Sequence, residues 1–452
     1  MGNKLFGTDG IRGIANEEPI TSETALRLGR ALAHVFRARA GRHHRILIGK
    51  DTRLSGYMLE TAIASGICSM GADVWLVGPM PTPAIAFLTR SMRADAGVVI
   101  SASHNPFHEN GIKFFSREGF KLDAATEERI EELVLNDGEL AYKRAGGAEI
   151  GKAARIDDAA GRYLVFLKSC LPRTLTLDGL KIAIDCANGA CYHVGPDVFS
   201  ELGADVCAIG SDPDGRNINQ DCGALHPERL AGMVRKAGAD AGIALDGDGD
   251  RAILVDERGA LLDGDDVMAM LGRKLAAAGK LAHRTVVATV MSNLGLDRSL
   301  AAAGVRTVRT DVGDPAVVHE MLQGGYNFGG EQSGHLIFME QATTGDGLLT
   351  ALLVLAHMAE SGKPLSALRM MERVPQVLEN VRVRERRPLA EIPEVTQAIA
   401  LAQQKLGSGG RLLVRYSGTE MMARVMVEGD DKAAIRTLAA SIAAAIGRQL
   451  GL

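Results

Sequence analysis

Ser103 sits where an apolar run, Gly97-Val98-Val99-Ile100, delivers a hydroxyl into the polar loop Ser101-Ala102-Ser103-His104-Asn105-Pro106. Pro106 forbids a helix there and biases Asn105 toward extended geometry. The serine therefore follows a strand end, where α/β proteins carry their chemistry. Lys113 follows a Gly turn, in Asn110-Gly111-Ile112-Lys113. A reachable hydroxyl with a nearby ammonium suits nucleophilic or group-carrying chemistry.

A second group is Asp246-Gly247-Asp248-Gly249-Asp250-Arg251, after the apolar segment Ala241 to Leu245. Alternate carboxylates in an extended segment project to one face, and the glycines let the backbone curve around an ion. Three hard oxygen ligands, with room for a fourth anionic one, suit Mg²⁺. Asp246, Asp248, Asp250 and Glu257 also fit positions 1, 3, 5 and 12 of a Ca²⁺ EF-hand loop. Arg251 at the required glycine, and the strand-like Ile253-Leu254-Val255, argue against that.

Two further loops bear polar groups. Gly330-Glu331-Gln332-Ser333-Gly334-His335 offers an acid, a hydroxyl and an imidazole, and suits vicinal hydroxyls or an amine. Arg415-Tyr416-Ser417-Gly418-Thr419, with Arg424, joins two guanidinium groups, two hydroxyls and a glycine N–H in an anion cradle fit for a terminal phosphate. Phe6-Gly7-Thr8-Asp9-Gly10-Ile11-Arg12-Gly13 and the loop at Gly49 to Gly56 are polar and carry little information alone. Thr343 to Gly347 reads as a helix cap. Ser103 lacks a G-x-S-x-G elbow and the chain lacks a Walker A pattern, so neither a hydrolase triad nor a P-loop is supported. His104 and His108 flank Pro106 and share no helix face.

The elements that must position these groups repeat. Strand patterns at Arg45 to Gly49, Leu180 to Asp185 and Thr285 to Val290 each lead through a helix to a glycine and a return strand. Two of the returns read Gly71-Ala72-Asp73-Val74 and Gly203-Ala204-Asp205-Val206; the third starts at Gly304. Three such βαβ units predict three related α/β domains. Ser22 is the expected cap of a helix bearing Ala25, Leu28, Leu32 and Val35. From about Pro375 the pattern becomes a small α+β domain. The expected limits are 1–153, 154–255, 256–372 and 373–452, with mixed sheets and the active site in a central cleft.

At 452 residues the chain has room for roughly three or four domains. Its net charge of −4 argues against nucleic-acid binding, so any anion site must be local. Aromatic residues are 4%, so the core must be aliphatic. Six cysteines without a C-x-x-C pair predict buried thiols in a reducing, cytoplasmic setting. No membrane span or signal peptide is expected.

A serine, a metal loop, a polyol loop and a phosphate cradle in successive segments point to phosphoryl transfer to a sugar phosphate through a phosphoserine. Its phosphate would be the fourth metal ligand. The motifs around Ser103, Asp246 to Arg251, Glu331 to His335 and Arg415 to Thr419 resemble, in order and over the whole chain, those of the α-D-phosphohexomutases. Phe6 to Gly13, Asp185-Cys186-Ala187-Asn188-Gly189-Ala190 and Arg424 to Gly429 are similar to the phosphoglucosamine mutase branch.

The resemblance implies an isomerase that interconverts glucosamine 6-phosphate and glucosamine 1-phosphate for UDP-N-acetylglucosamine synthesis. A bisphosphate would turn over within the site. Phosphorylation of Ser103 would be required, with one Mg²⁺ held by Ser103, Asp246, Asp248 and Asp250. Lys113 and His335 would serve as acid, base or charge stabiliser, with Arg12 and Arg251 beside the phosphoryl group. Glu331 and Ser333 would hold sugar hydroxyls. Arg415, Ser417, Gly418, Thr419 and Arg424 would grip the phosphate that does not react. The alternatives are a phosphoglucomutase or phosphomannomutase with this machinery, or a non-catalytic binder. A homodimer is left open. Two departures from the family pattern stand out: Met421 replaces the proline of the phosphate loop, and Pro315 replaces an arginine after Asp314.

Overall fold

The computed structural model describes residues 5–7, 9–36, 44–136, 138–141, 143–417 and 421–452. Its first three sheets repeat one plan. In the first, Arg45–Lys50 lies between Asp73–Pro79 and Ala96–Ile100, parallel to both, and Ala96–Ile100 pairs antiparallel with Glu109–Ser116. In the second, Lys181–Asp185 lies between Asp205–Ile209 and Ala241–Leu245, and the antiparallel strand is Ala252–Asp256. In the third, Thr285–Thr289 lies between Arg306–Thr310 and Phe328–Gly330, and the antiparallel strand is Leu336–Phe338. Edge strands Ile11–Ile14, Ala153–Arg155 and Leu261–Leu262 extend the first two sheets. The second sheet thus reaches past residue 255.

Local sequence explains the units. Each helix-to-strand return passes through a glycine in the left-handed region, Gly71, Gly203 or Gly304, at φ +84°, +97° and +66°. A side chain there would be strained. The helix Ser22–Val35 is capped by Thr21, not Ser22: the Thr21 hydroxyl accepts from Thr24 N at 3.2 Å. Adjacent hydroxyls compete for this role, and the extended backbone of Thr21 decides it.

The fourth sheet is antiparallel, ordered Gln376–Arg382, Met422–Glu428, Arg411–Tyr416, and packs with the helices Pro393–Leu406 and Lys432–Leu450. Its core, with Val395, Val425, Val427, Ile442 and Ile446, is separate. By contrast, one apolar core runs through the first three domains, from Phe115 and Tyr163 to Ile184, Leu245, Val286 and Leu352. Phe87 stacks on Phe166 at 4.2 Å against its surface. The chain thus joins three α/β domains on a shared core to a smaller C-terminal domain with its own. Among the described residues no helix is long and apolar enough to cross a membrane.

Candidate active site

Three of the four chemistry-bearing loops occupy the same position in the repeated unit. Each links the third parallel strand to the antiparallel strand. In the first domain this is the Ser103 loop, after Ile100; in the second, the aspartate loop, after Leu245; in the third, the Glu331–His335 loop, after Gly330. All three leave the carboxyl end of a strand, where open α/β sheets bind ligands.

The first two loops meet. Ser103 Oγ donates to Asp246 Oδ2 at 2.7 Å, and His104 Nδ1 lies 3.2 Å from Ser103 Oγ. Ser103 is 1% exposed and held at φ +52°. A left-handed backbone costs a residue with a Cβ about 1–2 kcal/mol, so the surroundings must enforce it. Arg53 contributes: its buried guanidinium donates to the carbonyls of Ser103 (3.0 Å), Asn105 (2.8 Å), Glu109 (3.1 Å) and Pro106. Asp51 accepts from Arg53 Nε at 2.8 Å and from Ser101 Oγ at 2.5 Å. Gly247 allows the close approach, since a Cβ there would lie 2.5 Å from the Ser103 carbonyl oxygen.

One oxygen from each of Asp246, Asp248 and Asp250 falls within a 4.8 Å cluster. All three residues are buried, and among the described residues none donates a hydrogen bond to Asp248 Oδ1 or Asp250 Oδ1. Buried carboxylate oxygens without donors fit a divalent cation. Burial, then Asp250 and Asp248, pushes Asp246 well above the usual carboxylate range. Lys113 Nζ lies 3.1 Å from both Asp248 Oδ2 and Asp9 Oδ2, and Thr82 Oγ1 donates to Asp248 Oδ2 at 2.8 Å. Burial opposes the charge of Lys113, but Asp248, Asp9 and Asp250 more than offset it and hold it as an ammonium.

The third loop brings His335 Nδ1 to 3.4 Å from Asp250 Oδ2. Against the penalty of burial, Asp250 and Asp314 raise the imidazole's affinity for a proton. The Gly345 N–H lies 3.1 Å from Nε2, a contact that suits the neutral ring with its hydrogen on Nδ1, facing Asp250. Arg251 Nε is 3.6 Å from Asp250 Oδ1. Glu331 Oε1 accepts from Gly313 N at 3.0 Å, while Ser333 is exposed. Arg12 pairs with Asp9 and donates to the Ala102 carbonyl at 3.4 Å.

Lys121 ties the rim together, reaching Asp9 of the first domain at 2.5 Å and Asp314 of the third at 2.7 Å. Burial disfavours the charge of Asp9, but Lys113, Lys121 and Arg12 hold it far below the usual carboxylate range. Pro315 occupies the first turn of the helix Asp314–Gly324, where no N–H is needed. Arg415 and Arg424 sit on the C-terminal sheet, and the buried Ser417 follows the strand that carries Arg415. The expected ligands Gly418 and Thr419 lie outside the described residues. Thr343 to Gly347 is a cap, as expected: Asp346 accepts from Leu349 N at 2.9 Å. Sequence reasoning missed Arg53, Asp51, Asp9, Lys121 and Gly345 as parts of the site; an Asp-x-Arg after a strand was the only signal for the first pair.

Four family models match in succession: phosphoglucomutase/phosphomannomutase alpha/beta/alpha domains I, II and III over residues 3–141, 162–259 and 263–374, and the C-terminal domain over 378–445. A phosphoglucosamine mutase of Anaeromyxobacter sp. (strain Fw109-5) is 62% identical, over 100% of this chain and 97% of that one. The chain belongs to the phosphoglucomutase/phosphomannomutase family, in its phosphoglucosamine mutase branch. Solved structures share its fold. A phosphoglucomutase/phosphomannomutase family protein from Burkholderia thailandensis superposes with a TM-score of 0.82 at 22% identity, covering 99% of both chains. Aspergillus fumigatus N-acetylphosphoglucosamine mutase, in complex with GlcNAc-6P and magnesium, gives 0.66 at 18% identity, covering 98% of this chain and 95% of that one.

Proposed function

We propose that this enzyme interconverts glucosamine 6-phosphate and glucosamine 1-phosphate through a phosphoserine at Ser103 and a sugar bisphosphate. The observation that carries the proposal is the buried 2.7 Å hydrogen bond from Ser103 Oγ to Asp246, beside carboxylate oxygens that lack donors. Relatives named phosphoglucosamine mutase support the substrate. Asp246, Asp248, Asp250 and the Ser103 phosphate would hold one Mg²⁺, which would neutralise phosphoryl oxygens during transfer.

In the first transfer the bond from phosphorus to Ser103 Oγ breaks and one to a sugar oxygen forms. The proton of the sugar hydroxyl ends on Ser103 Oγ. The end state matches the geometry described, with that hydroxyl donating to Asp246. Returning the other phosphoryl group from the bisphosphate to Ser103 completes the cycle. Lys113 and Arg251 stabilise charge on the transferring group, as does Arg12, while His335 orients Asp250. Glu331 and Ser333 hold the sugar hydroxyls, and Arg415, Ser417, Gly418, Thr419 and Arg424 grip the distal phosphate. The C-terminal domain, with its separate core, closes this grip.

The product serves the supply of UDP-N-acetylglucosamine. Six free cysteines support a reducing, cytoplasmic location. Comparing kcat/KM for glucosamine, glucose and mannose phosphates tests the assignment. Glucosamine phosphate should be preferred, and faster turnover of a hexose phosphate would overturn it.

A further inference from the structure

The two carbonyls that flank His104 carry two donors each. Arg53 Nη2 donates to the Ser103 carbonyl at 3.0 Å and to the Asn105 carbonyl at 2.8 Å. Asn219 Nδ2 donates to the same two carbonyls, at 2.8 and 3.0 Å. A carbonyl oxygen has two lone pairs, so both acceptors are filled. The two donors come from different domains: Arg53 follows the strand Arg45–Lys50 of the first sheet, and Asn219 follows Asp205–Ile209 of the second.

Asn219 is itself anchored. It is left-handed at φ +59°, and its N–H donates to the Ala187 carbonyl at 2.9 Å. Its amide also abuts the aspartate loop, since a Cβ on Gly247 would lie 2.8 Å from Asn219 Nδ2. One side chain of the second domain thus touches the Ser103 loop and packs on the metal loop.

We propose that Asn219 is a positioning residue for phosphoryl transfer. With Arg53 it clamps the left-handed Ser103 turn from the opposite side of the domain boundary. It thereby fixes the distance between Ser103 Oγ and the aspartates, in the free and in the phosphorylated enzyme. This rests on Ser103 being the phosphoryl carrier. Asp51 and Arg53 alone would hold the loop within its own domain; Asn219 ties it to the domain that supplies the metal ligands.

The test uses full-length Asn219→Ala and Asn219→Asp enzymes with saturating Mg²⁺ and glucosamine 6-phosphate. A lost pair of hydrogen bonds should lower kcat about tenfold or more in the alanine variant, with little change in KM. The aspartate variant should be slower still, because its oxygens face two carbonyl oxygens. Both should still take up about one phosphate per chain on Ser103 from the sugar bisphosphate, read by intact mass. Three results overturn the clamp: a wild-type kcat in Asn219→Ala, an aspartate variant faster than the alanine one, or a rate loss that matches the loss of phosphate-accepting chains. Ser103→Ala measured alongside separates the two levels. Turnover there would remove the phosphoserine reading, whereas its absence with a normal Asn219→Ala removes the clamp alone.

Discussion

Arg415 and Arg424 stand directly opposite each other on neighbouring antiparallel strands of the C-terminal sheet. Residues in that relation share a face, and like charges there destabilise a sheet. Arg415 Nη2 also lies 3.8 Å from Met291 Sδ of the third domain. A phosphate between the two guanidinium groups would turn this repulsion into binding. We expect Arg424→Met to raise KM for the sugar phosphate about tenfold to a hundredfold, at ~1.5–3 kcal/mol for a charge-assisted contact. Steady-state kinetics check this, and an unchanged KM would remove the arginine pair from the phosphate site.

Gly345 packs closely on His335: a Cβ there would lie 2.6 Å from three atoms of the imidazole. Gly345→Ala must displace the ring and break the N–H contact to Nε2. We expect kcat to fall about a hundredfold, as when a positioned polar group is lost from a transition state. Circular dichroism should still report a native fold. An active variant would mean that the orientation of His335 does not matter.

Asp248 divides its oxygens: Oδ2 accepts from Lys113 and Thr82, while the buried Oδ1 accepts from none of the described residues. Chelator-treated enzyme should be inactive and recover with Mg²⁺. Mg²⁺ at a hundred times its Kd should stabilise the fold by about 2.7 kcal/mol, visible as a rise in melting temperature. Asp248→Asn should weaken Mg²⁺ binding tenfold or more, on the order of 1.4 kcal/mol. Full activity in thoroughly chelated enzyme would contradict this.

Asp346 is buried and accepts from Tyr163 Oη at 2.8 Å as well as from Leu349 N. Burial pushes it up to about 6, against these donors, which favour its charge. The folded chain therefore binds this proton more tightly than the unfolded one. Its contribution is greatest below about pH 4 and declines as pH rises toward 6, by on the order of 3 kcal/mol. Asp346→Asn keeps an acceptor for Leu349 and has no charge to bury. The melting temperature of the variant relative to wild type should therefore rise between pH 4.5 and 7.5. A constant difference would show that Asp346 does not titrate in this range.

The loops that bear the chemistry were legible because their residue types are rare together and sit at strand ends. Helix and strand periodicity also exposed the three βαβ units. That the Ser103, Asp246 and His335 loops are equivalent positions was not legible, since equivalence lies in strand pairing and the loops share no sequence. Arg53 escaped for a related reason. Nothing local to Asp51-Thr52-Arg53 says that its guanidinium will meet the carbonyls of residues 103–109, which only the parallel pairing of Arg45–Lys50 with Ala96–Ile100 brings near. Lys121 and Asp314 meet across two domains, beyond the reach of any spacing rule. The Thr21 cap differed from the expected Ser22 because two hydroxyls stood side by side.

The central claim is that Ser103 carries the phosphoryl group. The most direct measurement is intact mass and peptide mapping after incubating dephosphorylated enzyme with glucosamine 1,6-bisphosphate and Mg²⁺. One phosphate should appear on Ser103 and be passed to glucosamine 6-phosphate at a rate no slower than turnover, while Ser103→Ala should take up none and be inactive. An unmodified Ser103 in a turning-over enzyme, or turnover by Ser103→Ala, would contradict the account.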